Sequence, residues 1–167
     1  METLESQQPS ALQDVQLSDY ELERGKPMPS KNHSHIQLKL ASHLELRYGK
    51  DFSLLSEISV QLQNNKATPD LAIFSLLEFD WQSDEPTIAE QPITTIEILL
   101  PTQVLEDLLD KAEDYFSSGV KSCWIALPRL TTILVMQANR LKTYFQIGET
   151  LTDPATGITL QVSDIFE

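Results

Sequence analysis

Apolar residues recur along this chain in two rhythms. Between residues 35 and 48, Ile36, Leu40, Leu44 and Tyr48 return at helical spacing, with Leu38 and Leu46 at the edges of the stripe and Gly49 as a C-terminal stop. Residues 52–62 then alternate, with Leu54, Ile58, Val60 and Leu62 on one side and Ser53, Ser59 and Gln61 on the other. Asn64-Asn65 supplies a turn, so a hairpin is expected whose second strand is the nearly continuous apolar run 68–74. The acidic, proline-containing stretch 78–92 reads as a loop, and 94–100 as the next buried strand. A helix starting at Thr102 carries Val104, Leu108, Ala112, Tyr115 and Phe116 on one stripe and ends at Ser117-Ser118-Gly119. Strands over 122–127, 132–137 and 141–147 follow with short turns, and a last strand is expected over 158–162. Near the start, Ser18 and Glu21 have capping-box spacing, which predicts one short helix before Gly25, Pro27 and Pro29.

Strands interrupted by long helices and closed by hairpin-linked strands describe an α/β domain with a mixed central sheet flanked by helices. Residues 1–16, rich in Gln, Ser and acids without periodicity, are expected to form a flexible arm, and residues 17–167 one domain. No run approaches the roughly 20 apolar residues of a membrane span, and the first residues lack a signal-peptide pattern. With Cys123 the only cysteine, a cytoplasmic, reducing setting is expected. The net charge of -13 opposes polyanion binding. Its distribution is uneven: Lys31, Lys39, Arg47, Lys50 and Lys66 outnumber the acids between residues 31 and 66, whereas Lys111 stands alone among twelve acids from residue 70 to 115.

Three ionisable residues lie at unusual places. Asp70 falls within an otherwise apolar strand, Glu97 sits in the middle of Thr95-Ile96-Glu97-Ile98-Leu99, and Lys111 shares the helical stripe of Leu108 and Tyr115. Isolated buried carboxylates cost several kcal/mol unless they are paired or metal-bound, so an inward-reaching lysine is a natural counter-charge. The same spacing also fits strand-edge acids in water and a snorkelling lysine.

Thr68-Pro69-Asp70-Leu71-Ala72-Ile73, Ile96-Glu97-Ile98-Leu99-Leu100-Pro101-Thr102 and the run from Lys111 to Trp124 resemble the Uma-type restriction endonucleases abundant in cyanobacteria, members of the PD-(D/E)xK nuclease superfamily. The resemblance takes in Tyr20-Glu21-Leu22-Glu23-Arg24-Gly25-Lys26, His33 and Ser56-Glu57, and so runs from Ser18 to Phe166. It implies a restriction-endonuclease-like fold and a Mg²⁺-dependent (or Mn²⁺-dependent) endonuclease acting on DNA. Asp70, Glu97 and the carbonyl of Ile98 would hold the metal and Lys111 would assist the attacking water. Glu57 would be a further acid, holding a second metal or orienting Lys111. The chain departs from the usual pattern at Leu99, where a lysine is common, and at Leu100, where the family has serine. A catalytically inactive member, kept as a protein or nucleic-acid interaction module, is the alternative.

Cleavage of both strands of a duplex requires two sites, so a homodimer paired along the late strands is expected. His33 and His35, two residues apart, cannot share a helix face, and by resemblance His33 is a helix-start or substrate-facing residue, while His43 reads as a surface residue. Cys123 and Trp124 read as core. Neither a glycine-rich phosphate loop nor a Ser-His-Asp arrangement is present, so no organic cofactor is expected.

Overall fold

A computed structural model describes residues 18–24 and 26–167, and the expected arm at 1–16 lies outside them. Helix α1 (Asp19–Arg24) is preceded by the anticipated capping box: the Ser18 amide donates to Glu21 Oε2 at 2.7 Å and the Glu21 amide donates to Ser18 Oγ at 3.2 Å. Helix α2 (Lys31–Tyr48) starts four residues earlier than its apolar periodicity suggests, because Ser30 acts as N-cap and accepts from the His33 amide. That extra turn brings His33 onto the buried face with Ile36, Leu40 and Leu44.

The expected first strand is two strands in two sheets. β1 (Phe52–Ser56) pairs antiparallel with β4 (Leu71–Ser75), whereas β2 (Ser59–Gln61) pairs with β3 (Lys66–Ala67) across the Asn64-Asn65 turn. Both legs of the hairpin break at one level. Glu57 adopts φ 57° on the first leg, a conformation costing on the order of 1 kcal/mol for a non-glycine residue, and Pro69-Asp70 interrupts the second. The Glu57 amide bonds across the break to the Asp70 carbonyl at 3.2 Å. Asp70 therefore lies at a bend just before a strand and not inside one, which corrects the expectation. The stretch read as a loop also contains β5 (Thr87–Ile88), which lies parallel to β2 in the small sheet.

β6 (Thr94–Ile98) and β7 (Ser122–Leu127) run parallel at the centre of a six-stranded sheet of order β1-β4-β6-β7-β8-β9, with β8 (Thr132–Gln137) and β9 (Lys142–Gln146) added antiparallel. Both central strands are buried along their whole length, as parallel strands covered on two faces must be. Helix α3 (Leu105–Ser117), which starts three residues after Thr102, makes the β6 to β7 crossover. Strand alternation divides the core. Ile96, Ile98 and Trp124 pack with the buried face of α2, and Cys123, Ile125 and Leu127 pack with Leu108, Ala112 and Tyr115 of α3. Cys123 and Trp124 are core residues, as expected; His43 is half-buried.

The expected last strand, β11 (Thr159–Gln161), pairs with β10 (Thr150–Thr152), which the apolar pattern did not reveal, and a short helix α4 (Ser163–Phe166) follows. This hairpin is fastened by Asp153, whose Oδ2 accepts from Thr94 Oγ1 at 2.9 Å, Ser122 Oγ at 2.8 Å and Trp124 Nε1 at 3.0 Å. Among the described residues no helix is long and apolar enough to cross a membrane.

Candidate functional site

The bend at residues 57 and 70 opens beside the end of β6, and the expected acids meet there. Glu97 projects from β6 toward α3, where Lys111 Nζ lies 2.7 Å from its Oε1 and the Tyr115 hydroxyl donates to the same oxygen at 2.6 Å. Positions 111 and 115 are one helical turn apart, so both groups descend on the carboxylate from one face. Asp70 approaches the same strand end: its Oδ2 accepts the main-chain N–H of Ile98 at 2.7 Å. One hydrogen bond thus ties the acid at the bend to the residue after Glu97.

Three side chains also meet Asp70. Lys26 Nζ is 2.6 Å from Oδ1, His33 Nε2 is 3.1 Å from Oδ2, and the Asp70 carbonyl accepts from Gln37 Nε2 at 3.0 Å. Lys26 Nζ also lies 3.0 Å from Glu57 Oε2, while Glu57 Oε1 accepts from Gln37 at 3.0 Å. Glu57 thus shares the Lys26 ammonium with Asp70.

Lys26 and His33 carried no site role from spacing. Lys26 follows a short helix on a segment without periodicity, and His33 is buried only because Ser30 extends α2 by a turn. The signal for His33 was the helix cap. His35, by contrast, is exposed on α2, and the two histidines are not brought together.

The environment splits the acids. Burial would raise the Asp70 carboxyl, but the His33 hydrogen bond and the Lys26 charge outweigh it and hold the group at about 2. Burial pushes Glu97 upward; the Lys111 ammonium opposes this and the Asp70 charge adds to it, leaving Glu97 above the usual carboxylate range. Burial lowers Lys111, but the Glu97 charge and hydrogen bond more than restore it, so the amine lies above its ordinary value. Tyr115 is raised by burial and by Glu97, and remains a hydrogen-bond donor.

Asp70 and Glu97 offer hard anionic oxygens in a place where each already holds a cation, and the carbonyl of Thr68 receives both Lys26 at 3.2 Å and Lys111 at 3.4 Å. This donor chemistry suits a hard divalent ion. Among the described residues no group of three or more His, Cys, Asp or Glu side chains is poised for metal, so main-chain oxygen or water would complete the shell. A metal on Asp70 would compete with the Lys26 ammonium at Oδ1, where Lys26 uses one of two lone pairs. The donors therefore fit a divalent ion beside or in place of that lysine contact.

Comparison with known proteins gives the fold and the family. A putative nuclease belonging to DUF820 from Anabaena variabilis ATCC 29413, known from its crystal structure, superposes with a TM-score of 0.74 at 20% identity, covering 84% of this chain and 83% of that one. At that identity the likeness establishes the fold, which is restriction-endonuclease-like. No curated protein matches the chain. The family described as "Uma2: Putative restriction endonuclease" matches residues 1–163. Because that match spans nearly the whole sequence, the chain belongs to the Uma2 family.

Proposed function

We propose that this protein is a Mg²⁺-dependent endonuclease that hydrolyses DNA phosphodiester bonds, with Mn²⁺ able to substitute. The observation that carries the reading is the convergence of buried Asp70 and Glu97 with half-buried Lys111 at the end of β6, one hydrogen bond from the main chain of Ile98. Asp70, Glu97 and the carbonyl of Ile98 would hold the ion. Bound there, it would supply Lewis-acid stabilisation of charge on the scissile phosphate. Lys111 holds a proton on Nζ beside Glu97 and orients the attacking water. Tyr115 fixes the Glu97 carboxylate, and His33 fixes that of Asp70. Lys26 keeps the Asp70 and Glu57 charges compensated when no metal is bound.

A homodimer would supply the second site for duplex cleavage. The edge strand β9 supports it, with Leu141, Tyr144 and Ile147 exposed along and beside it. A cytoplasmic setting agrees with the single cysteine, buried and pushed up to about 12 by its apolar surroundings. Duplex binding finds less support on α2. Lys31, Lys39 and Arg47 are eight residues apart, so each turns roughly 80° from the last and the three do not line one face.

One observation favours a second reading, a catalytically silent member acting as an interaction module. Both Asp70 oxygens are already engaged, by Lys26 and by His33 with Ile98, and Leu99 stands where the usual pattern has lysine. Incubation with supercoiled plasmid and Mg²⁺ separates the two. Nicking by the native chain that is absent in Glu97→Gln supports the nuclease, and no nicking by either moves the assignment to the silent module.

A further inference from the structure

A pocket of about 320 Å³ opens beside the acid centre and has no part in the chemistry described above. Its lining is largely aliphatic, from buried Leu100 and Leu127, half-buried Leu99 and exposed Leu130. Leu99 and Leu100 are the two positions where the chain departs from the usual family pattern, so the polar groups missing there have become the apolar lining of a cavity. Two of its lining residues directly adjoin residues of the site along the chain. Leu99 follows Ile98, whose amide holds Asp70, and Asn32 on the rim precedes His33, which bonds the same carboxylate. It lies beyond the carboxyl ends of the parallel strands β6 and β7, where open α/β sheets place ligands.

The rim has a distinct chemistry. Asn32 and Arg129 are exposed, and neither side chain forms a hydrogen bond or ion pair with the described residues. Gln103 uses its Oε1 to accept from the Leu100 amide, which leaves its two N–H donors for a ligand. An unpaired guanidinium is notable in a chain of net charge -13. An apolar slot with amide groups at its edge matches a planar heterocycle that is stacked on one face and hydrogen-bonded along its rim, and the guanidinium matches an adjoining phosphate. The volume is near the lower end of small-ligand sites, which run from about 300 to 1,000 Å³, and accommodates one ring system.

We infer that this pocket receives a single unpaired nucleobase next to the scissile phosphate, with Asn32 and Gln103 reading its edge and Arg129 holding a flanking phosphate. The inference rests on the phosphodiesterase reading of the acid site and narrows its substrate to strands with unstacked nucleotides. Enzymes that take one base out of the stack meet the least unstacking cost on single-stranded substrate.

The test uses the full chain carrying Asp70→Asn, so that binding is read without cleavage. Fluorescence anisotropy compares a labelled single-stranded DNA oligonucleotide with the duplex of the same sequence. The single strand is expected to bind at least tenfold more tightly, and adding Arg129→Ala or Asn32→Ala should each lower that affinity about tenfold, the scale of one lost hydrogen-bonding group. Both side chains are exposed, and circular dichroism checks that the variants remain folded. Duplex binding equal to or tighter than single-strand binding, or unchanged affinity in both variants, would overturn the inference. Plasmid nicking by the native chain is scored separately. Absent nicking with strand preference intact removes the hydrolytic reading alone, whereas nicking without strand preference removes the pocket assignment alone.

Discussion

Lys26 and Lys111 both reach the carbonyl oxygen of Thr68, at 3.2 and 3.4 Å, and each is paired with a different acid. Lys26 comes from the segment leading into α2 and serves Asp70 and Glu57; Lys111 comes from α3 and serves Glu97. Each lysine thus has its own closest acid, and the two lysines can be removed one at a time.

Replacing Lys26 by methionine leaves the stem of the side chain and removes its charge. Asp70 would keep His33 and the Ile98 amide but lose its closest cation, and breaking a buried ion pair from one side costs about 3 kcal/mol. For a chain of this size that corresponds to a melting temperature lower by roughly 10 °C. Thermal unfolding with and without Mg²⁺ checks it. The variant is expected to recover more stability from the ion than the native chain does, and an unchanged melting temperature would refute the role assigned to Lys26.

Lys111→Met should act differently. The variant is expected to lose at least about a hundredfold in plasmid-nicking rate, the lower range for removal of one positioned electrostatic donor, while Lys26 still compensates Asp70. Native-like circular dichroism with lost nicking is the expected pattern. Undiminished nicking would remove Lys111 from the chemistry.

The pH dependence of stability has two arms. Asp70, held at about 2 against an ordinary 3.8, favours the folded state above the unfolded value, so its contribution, on the order of 2 kcal/mol, is lost as pH falls from about 4 to 2. Lys111, raised above its ordinary 10.5, contributes fully below that value and loses its contribution as pH rises through the higher folded one. Urea unfolding at stepped pH should show the acid arm flatten in Asp70→Asn and the alkaline arm flatten in Lys111→Met. Parallel curves for the native chain and both variants would contradict the assigned shifts.

Asp153 provides a control far from the metal chemistry. Asp153→Ala removes the acceptor for Thr94, Ser122 and Trp124 and is expected to destabilise by about 3 kcal/mol without weakening metal binding. Calorimetric metal titration below the lowered melting temperature checks the second half of that statement. A variant that melts normally but fails to bind metal would reverse the assignment.

Much of this arrangement is legible in the sequence, for definite reasons. Glu97 stands out because a buried parallel strand should be apolar at every position, and Lys111 because helical spacing places it above Tyr115 on the packed face. Asp70 was found by its apolar neighbours, although the bend that presents it was hidden: nothing in Ser56-Glu57-Ile58 signals a positive φ, and the alternation continues through the break. Lys26 lies 44 residues from Asp70 and is joined to it only by tertiary contact. β5 and β3 are two residues each, too short for any period to register. β10 was missed because Leu151 is its single buried residue. Local pattern thus revealed the acids and Lys111, while the first neighbours of Asp70 required the folded chain.

Isothermal titration of Mg²⁺ into the native chain and into Asp70→Asn, run in parallel and followed by incubation of each with supercoiled plasmid, tests the metal-nuclease assignment most directly. The expected result is saturable binding and nicking by the native protein, both lost together in a variant that remains folded. Absence of Mg²⁺ binding by the native chain, or nicking that survives in Asp70→Asn, would contradict it.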